Sequence, residues 1–486
     1  MRIFNVCAEF VPLAKAGGLG DVTAALSHYL SGVGHDVVTL LPRYGIIDAP
    51  DSTAIPVAGP VNFAGPDDLQ VGGGTLAYSI YPLDFSADSG RVFVVDCPLL
   101  LGEEIYASGD QEAHRFILLS RAALELCRAL EWSPDIVHCH DWHTALTPAL
   151  IHQAARNEPL FAGTSTVLTI HNIGYQGVFP AQVLRDAELA ELLPLTDQDD
   201  LARDEVNFLK TGLMYADALT TVSPTHAKEI RTAEYGMGLE GLLSKRGHRL
   251  HGILNGVDYS LWDPASDKLI AAPYSADAPQ DKAKNKAALL ADAGLDVPAG
   301  TPVLGMISRL VLQKGIDLFV AALTEMLAER PVACVVLGTG ESPYTDELRA
   351  LAEEWPERLA FIEAYDDRMA HLILAGSDIL VIPSRYEPCG LTQMYALRYG
   401  TVPVVRNTGG LADSIRHFDP DSGDGNGSVF EDADVGGLKW GLVTALDWHA
   451  QPETWARIVA NGMREDHSWQ HRAPEYEALY RKLTRT

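Results

Sequence analysis

The chain has 486 residues, 47% of them apolar, and its 65 acidic against 37 basic side chains give a formal net charge of −28 at pH 7. This length suffices for two or three domains with separate cores. The acidic balance disfavours nucleic acid and anionic membrane surfaces as partners, and no apolar run approaches membrane-spanning length. The six cysteines are scattered without a CxxC pair, and the first strand begins without a leader-like segment. We therefore expect a cytoplasmic protein with reduced thiols.

The first predicted strand leads into a loop that carries a lysine and adjacent glycines. Gly17 and Gly18 would let backbone N–H groups approach a diphosphate, and Lys15 would supply positive charge. Asp21 is predicted as the N-cap of a helix over residues 22–33. The loop lacks the GxGxxG spacing of a dinucleotide fold, so it indicates phosphate binding in a more general form.

The remainder of the first half alternates strands and helices. A strand is predicted over residues 36–41, and residues 50–105, which are rich in Gly, Pro and Asp, are interpreted as a β-hairpin insertion. An amphipathic helix over 113–130 precedes a strand over 136–140.

A cluster of histidines around Asp141 ends that strand. Its candidate zinc ligands are His138, His140, Asp141 and His143. Metallo-hydrolases use H-x-H-x-D-H spacing, whereas here the aspartate directly follows the second histidine. We favour a different interpretation, in which the strand end displays Asp141, Trp142 and His143 to a ligand. Trp142 would stack on a sugar face and Asp141 would accept hydroxyl hydrogen bonds.

His171 follows the next predicted strand, over residues 166–170, where the sites of α/β proteins are built. A helix over 204–215 and a strand over 218–222 come next. A last strand and a turn are predicted over residues 253–258, and the pattern then restarts, which indicates a domain boundary between about 250 and 265.

In the second half, Arg309 and Lys314 both leave the carboxyl end of a strand over residues 303–308, so both can reach one anion. Three further helices are predicted over residues 316–328, 453–464 and 469–485, and two further strands over 332–337 and 359–364.

The stretch with the most candidate site residues covers residues 379–415. A buried strand over 379–383 is followed by a turn, a helix from Leu391 that stops near Gly400, and a second strand over 402–405. Pro388 keeps Glu387 extended, so that its carboxylate can project from the carboxyl end of the strand. The turn concentrates Arg385, Glu387, Cys389, Gly390 and Thr392.

Successive strand–loop–helix units indicate parallel sheets, so we expect two doubly wound halves that face each other across a cleft. Lys15 from one half, with Arg309 and Lys314 from the other, would meet on a diphosphate. Three further side chains are suited to fixing sugar hydroxyls: Asp141, His171 and Glu387.

At this point the sequence resembles the bacterial glycogen synthases of the retaining GT-B type, a family that includes plant starch synthases. The segments that carry the resemblance are Lys15-Ala-Gly-Gly-Leu-Gly-Asp21, His138-Cys-His-Asp-Trp-His143, His171-Asn-Ile-Gly-Tyr-Gln-Gly177, Asn255-Gly-Val-Asp258, Ser308-Arg-Leu with Gln313-Lys-Gly315, and Glu387-Pro-Cys-Gly-Leu-Thr-Gln393. Retaining GT-B enzymes often carry a second glutamate eight positions after the first, where this chain has Tyr395. Residues 103–109 match the family poorly.

The resemblance implies an α/β GT-B fold of two Rossmann-like domains and transfer of glucose from ADP-glucose to the 4-hydroxyl end of an α-1,4-glucan, with retained configuration. It also implies that no metal or cofactor is required. Arg309 and Lys314 would stabilise the leaving ADP, assisted by Lys15 and the backbone of Gly17 and Gly18.

The resemblance further assigns contacts with the sugar and the base. Glu387 would bind the glucose 3-hydroxyl, assisted by the N–H groups of Cys389, Gly390 and Leu391. His171 would contact the transferred glucose, Asp141 would line the acceptor side, and Tyr365 would stack on adenine. Other residues of the matching segments, implied to bind substrate, are Asp21, Trp142, His143, Asn172, Asn255 and Thr392.

The domains expected are an acceptor and catalytic domain over residues 1–256, a nucleotide-sugar domain over 257–464, and a C-terminal helix over 465–486 that packs back on the first domain. Several alternatives stay open. The donor could be UDP-glucose, the acceptor could be small, such as glucose 1-phosphate, and the chain could epimerise or only bind a nucleotide sugar. A zinc hydrolase is the alternative of a different class.

Overall fold

The computed structural model describes residues 1–48, 52–55, 61–62, 75–85, 87–98, 100–107 and 109–485. The chain forms two units. The first comprises Met1–Val222, Ala227–Gly256 and Trp469–Thr486, and the second comprises Ser223–His226 and Val257–Ser468. None of the helices in the described ranges is long and apolar enough to span a bilayer.

The first unit is built on an eight-stranded sheet. The strands of the unit are β1 (Arg2–Val6), β2 (Asp36–Pro42), β3 (Val61–Asn62), β4 (Thr75–Leu76), β5 (Ser79–Leu83), β6 (Arg91–Asp96), β7 (Ile136–His140), β8 (Ser165–Ile170), β9 (Val178–Pro180), β10 (Glu205–Asn207), β11 (Ala218–Thr221) and β12 (Leu250–Gly252). The sheet order is β12-β11-β8-β7-β1-β2-β6-β5, parallel except for β5 against β6. The carboxyl ends of β1, β7 and β8, which are neighbours in the sheet, therefore lie side by side.

Helices cover both faces of this sheet. The helices in chain order are α1 (Gly18–Gly32), α2 (Asp110–Ala129), α3 (Asp141–Thr144), α4 (Thr147–Ala154), α5 (Gln182–Asp186), α6 (Gln198–Leu201), α7 (Phe208–Tyr215), α8 (Pro224–Glu229) and α9 (Glu240–Lys245). Strand residues alternate between two cores, as the two-residue period requires. Phe4 and Val38 join one core, whereas Ile3 and Val37 join the other, where Tyr476 of the C-terminal helix also packs.

Three local predictions for this unit are corrected. α1 begins at Gly18 with an extended Gly17 before it, so Asp21 lies in the first turn of the helix and is not the N-cap. α7 begins at Phe208 because residues 205–207 pair with β9 and the Asn207 side chain caps the helix through the Lys210 N–H. The last strand of the first unit is β12, which ends at Gly252 and so precedes the strand and turn predicted over 253–258.

The hairpin predicted within residues 50–105 is confirmed in its second part by the antiparallel pair of β5 and β6. β3 also pairs antiparallel with β4. Residues 63–74, between β3 and β4, lie outside the described residues.

The second unit has a six-stranded, fully parallel sheet. Its strands are β13 (Val303–Ile307), β14 (Ala333–Leu337), β15 (Leu359–Ile362), β16 (Ile379–Ile382), β17 (Val402–Arg406) and β18 (Ser428–Phe430). The order is β15-β14-β13-β16-β17-β18. The chain winds outward from β13 on one side and from β16 on the other. The switch point, where α/β sheets bind ligands, therefore lies between these two strands.

The helices of the second unit are α10 (Lys282–Asp292), α11 (Ile316–Glu329), α12 (Ser342–Glu354), α13 (Asp367–Gly376), α14 (Thr392–Arg398), α15 (Gly409–Ser414), α16 (Val435–His449) and α17 (Pro452–Met463), and the chain ends with α18 (Trp469–Leu483), which belongs to the first unit. Leu391 is the N-cap of α14, and Gly400 follows its end with φ of +64°. The predicted start and stop of this helix are thus confirmed to within two residues.

Candidate functional site

The switch point of the second unit holds a partly buried ion pair. Lys314 follows β13 and Glu387 follows β16, and Lys314 Nζ lies 2.5 Å from Glu387 Oε2. The Ser384 hydroxyl donates to the same carboxylate oxygen over 2.9 Å. Glu387 is 7% exposed, so the carboxylate projects into the protein and not into bulk water. Two residues predicted from separate motifs therefore meet.

The turn that carries Glu387 is fixed by the next loop of the sheet. The Gly410 N–H donates to the Glu387 carbonyl over 3.0 Å, and a Cβ at Gly409 would lie 2.0 Å from that oxygen. Gln393 Nε2 donates to the carbonyls of Cys389 and Gly390, each over 3.0 Å. These contacts hold the Glu387 main chain against the start of α15, where only glycine fits.

Other predicted groups of this unit are available to a ligand. Arg309 is exposed and forms no ion pair with the described residues. Tyr365, after β15, is 85% exposed. The N–H groups of Gly390 and Leu391 donate to no acceptor within the described part of the chain. Thr392 opens α14 beside them.

Tyr395 stands where related patterns carry a second glutamate. Its ring stacks on Trp262, with centroids 4.1 Å apart and an interplanar angle of 5°, and His371 stacks on Trp262 at 3.9 Å. Tyr395 is thus part of an aromatic stack and contributes packing, not a carboxylate.

In the first unit, the glycine loop after β1 is held by the carboxylate of Glu9, which was not among the predicted site residues. Glu9 Oε2 accepts the N–H of Ala16 over 2.7 Å and of Gly17 over 2.8 Å. The Gly17 N–H is therefore occupied, contrary to its predicted role as a donor to diphosphate. Lys15 is exposed and pairs with Asp21 over 3.0 Å. Gly18, the first residue of α1, is exposed.

Tyr106 belongs to the stretch 103–109, which matched the family poorly, and it contacts residues that follow β1 and β7. Its hydroxyl donates to Glu9 Oε1, and its ring stacks on His143 at 4.9 Å. Burial, and then the charge of Glu9, raise the pKa of Tyr106 above its ordinary value. The phenol therefore stays protonated and links the loop after β1 to the residues after β7.

Asp141 holds the backbone after β8. Its Oδ1 accepts the N–H of His171 over 2.7 Å and that of Asn172 over 3.3 Å. Asp141 adopts φ of +54°, the left-handed region in which aspartate is tolerated. Burial raises the pKa of Asp141 to about 7, although the two N–H bonds act in the opposite direction.

The histidines that suggested zinc bond to protein groups. His138 contacts the Tyr480 hydroxyl at 2.8 Å and the Thr169 hydroxyl at 2.6 Å. His140 contacts Asn5 at 2.8 Å and His171 at 3.0 Å. Among the described residues, no three His, Cys, Asp or Glu side chains are grouped as metal ligands. The zinc alternative thus lacks a converging ligand set.

The position of Trp142 corrects its predicted role. The ring is 5% exposed and packs against Phe116 at 5.1 Å and Phe179 at 5.5 Å, in the core beside the sheet. It cannot stack on a sugar there. His143 is also buried, against Tyr106 and Phe116. Asn255 is buried, and its Oδ1 has no hydrogen-bond partner within the described ranges.

Four residues that hold candidate groups within their own unit were not predicted to do so: Glu9 and Tyr106 in the first unit, and Ser384 and Gln393 in the second. Glu9 lies three residues after β1 and just before the glycine loop, so its position in the sequence was a usable signal. The contact of Tyr106 with Glu9 spans 97 residues, and only the fold brings the two together.

These two parallel-sheet units, with a cation and a carboxylate at the switch point of the second, define a sugar transferase of the two-domain GT-B class. The family model described as starch synthase catalytic domain matches residues 2–245, and that of glycosyl transferases group 1 matches residues 291–462. The chain belongs to the glycogen synthase and starch synthase family, and it is a glucosyltransferase of the glycogen synthase type.

Individual relatives agree with this assignment. A glycogen synthase of Anaeromyxobacter dehalogenans (strain 2CP-C) is 42% identical over 489 residues, which cover 99% of this chain and 100% of that one. The glycogen synthase of Thermotoga maritima is 39% identical over 485 residues, 99% of each chain. The catalytic domain of starch synthase IV from Arabidopsis thaliana, bound to ADP and acarbose, has a TM-score of 0.88 at 34% identity and covers 100% of this chain and 99% of that one. The fold class, the family and the glycogen synthase function predicted from the sequence are confirmed.

Proposed function

We propose that the chain transfers glucose from ADP-glucose to the non-reducing 4-hydroxyl of an α-1,4-glucan, with retained configuration. The observation that carries this proposal is the Lys314–Glu387 pair at the β13/β16 switch point. It places a cation suited to a leaving diphosphate next to a carboxylate suited to a sugar hydroxyl. The starch synthase relative bound to ADP supports adenine over uracil as the base.

The second unit binds the donor in this proposal. Arg309 and Lys314 stabilise the negative charge that develops on ADP, because charge aimed at the developing anion is usually the largest catalytic contribution. Glu387 accepts a hydrogen bond from the glucose 3-hydroxyl, and the backbone at Cys389–Leu391 assists. Tyr365 stacks on adenine, for which its 85% exposure leaves the ring face open.

The first unit acts on the transferred sugar and the acceptor. His171 contacts the glucose, and Asp141 lines the acceptor side, where it also holds the His171 backbone. Lys15 assists with the diphosphate, together with Gly18. The bond between glucose C1 and the phosphate oxygen breaks as C1 bonds to the acceptor oxygen, and the acceptor proton passes to the leaving phosphate. Protein cations and this phosphate supply the chemistry, so no metal or cofactor is invoked.

These roles assign acceptor and catalytic functions to residues 1–256 and donor binding to residues 257–464, with the C-terminal helix over 465–486 as part of the first domain. The six cysteines are buried as thiols, which fits a reducing compartment, and we place the reaction in the cytoplasm.

The test is a side-by-side assay of 14C-glucose transfer from ADP-glucose and from UDP-glucose, with glycogen and glucose 1-phosphate as acceptors. We expect incorporation into glycogen from ADP-glucose, undiminished by EDTA. A preference for UDP-glucose or glucose 1-phosphate would overturn the donor or acceptor assignment. Loss of activity in EDTA, or a changed free sugar nucleotide on chromatography, would favour the hydrolase or epimerase alternative.

A further inference from the structure

The side chains behind His171 determine which of its ring nitrogens carries a proton. Asn5 Nδ2 lies 3.0 Å from Ser27 Oγ and 3.4 Å from the Thr23 carbonyl oxygen. A carbonyl oxygen only accepts, so the NH2 group of Asn5 occupies this side and its Oδ1 faces His140 Nε2 at 2.8 Å. His140 Nε2 must therefore carry the hydrogen.

The same argument continues to His171. Burial lowers the pKa of His140 well below its ordinary value, so the ring is neutral at pH 7 and has a single N–H. Its Nδ1 is then an acceptor, and it lies 3.0 Å from His171 Nε2. His171 Nε2 thus donates. Burial also lowers the pKa of His171, to about 3, so that ring is neutral and its Nδ1 carries no hydrogen.

We propose that Asn5 and His140 are positioning residues that fix His171 as its Nε2–H tautomer and leave its Nδ1 as a hydrogen-bond acceptor for a sugar hydroxyl. This inference rests on the proposed function for the identity of the ligand. His171 Nδ1 forms no hydrogen bond with the described residues, and Asp141 fixes the His171 main chain through its N–H. Both the ring and the backbone of His171 are therefore held before substrate arrives.

His138 provides an internal comparison. Its ring centroid lies 4.1 Å from that of His140, but its nitrogens bond to the Tyr480 and Thr169 hydroxyls and not to His171. Tyr480→Phe removes a buried hydrogen bond to His138, next to the Asn5–His140–His171 hydrogen-bond chain, and leaves that chain itself intact. It is the matched control for Asn5 variants.

The test is 15N NMR of histidine-labelled protein, with the His171 signal assigned by its loss in His171→Gln. We expect wild-type His171 to carry its proton on Nε2. In Asn5→Leu, which removes the acceptor for His140, we expect protonation at Nδ1 to appear in His171 and kcat to fall about tenfold, whereas KM for ADP-glucose changes less than twofold. Asn5→Asp keeps an acceptor oxygen and should retain the wild-type tautomer and most of kcat. Tyr480→Phe should leave both unchanged.

A wild-type His171 protonated at Nδ1 would overturn the proposal even if Asn5→Leu fails to fold. Equal losses of kcat in Asn5→Leu and Asn5→Asp, with the tautomer unchanged in both, would also overturn it, since Asn5 would then matter only for packing. The tautomer is read without donor or acceptor present. Failure of the proposed function would instead appear as absent glucose transfer in the wild type.

Discussion

Replacement of Lys314 by methionine separates the charge of this residue from its packing. Methionine keeps much of the apolar stem but removes the ammonium that lies 2.5 Å from Glu387 Oε2. Glu387 is then a buried carboxylate whose remaining side-chain donor is Ser384. Both the stability of the second unit and the stabilisation of the leaving diphosphate should suffer.

The size of each effect follows from the geometry. Unit charges 2.5 Å apart attract by roughly 7 kcal/mol at an effective dielectric constant of about 20, and desolvation offsets much of this gain. Removal of one partner of such a pair lowers the free energy of unfolding by about 3–5 kcal/mol. We expect the lower end of this range, because the Ser384 hydroxyl still donates to the Glu387 carboxylate. The loss in kcat should reach about 10²–10³-fold, as for other preorganised groups that face developing charge.

The assays are urea unfolding followed by circular dichroism and glucose transfer at saturating ADP-glucose. Lys286→Met is the matched control, because Lys286 pairs with Asp378 at 2.6 Å with a similarly low exposure in the same unit. It should lose comparable stability but keep kcat. The double variant Lys314→Met with Glu387→Gln should recover at least about 1.5 kcal/mol relative to Lys314→Met, because no unpaired charge remains, yet stay inactive.

Two results would refute this reasoning. A Lys314→Met enzyme with a kcat near that of the wild type would remove Lys314 from the mechanism. A double variant no more stable than Lys314→Met would mean that the pair does not compensate a buried charge.

Three further predictions concern Lys282, Asp141 and Tyr365. Burial lowers the pKa of Lys282 to about 7, so the folded chain binds fewer protons than the unfolded one above that pH. Lys282 should therefore make the free energy of unfolding rise by up to about 1.4 kcal/mol per pH unit between pH 7 and 10. If the urea midpoint of Lys282→Met rises with pH as steeply as that of the wild type, this prediction is contradicted. The raised pKa of Asp141, about 7, makes its ionisation oppose folding as pH rises from about 4 to 7. Asp141→Asn, which retains an acceptor for the His171 N–H, should therefore gain more stability over wild type at pH 8 than at pH 5, and equal gains would refute the assignment. Tyr365→Ala should raise KM for ADP-glucose about 3–10-fold at unchanged kcat, whereas Tyr365→Phe should match wild type; a lowered kcat in Tyr365→Ala would argue against a purely binding role.

Local patterns identified most strands of both sheets, because a short β-branched run bounded by turn residues is typical of a buried strand and is too short for most helices. The errors fell where a distant partner decided the outcome. Residues 205–207 became a strand through pairing with β9, which shortened the predicted helix. Trp142 was predicted to be exposed to a ligand because it follows the end of a strand, but its ring packs against Phe116 and Phe179.

The sequence by itself determined the family, the doubly wound class and the identity of the charged groups, because each depends on residue order within short segments. Lys314 and Glu387 were recognised in this way, in separate motifs. The tertiary structure alone decided which groups touch: that Glu387 is paired, that Glu9 occupies the Gly17 N–H, and that Asn5 reaches His140. Hydrogen bonds and ion pairs form over about 3 Å, so partners far apart in the chain are defined only when the sheet brings neighbouring strand ends together.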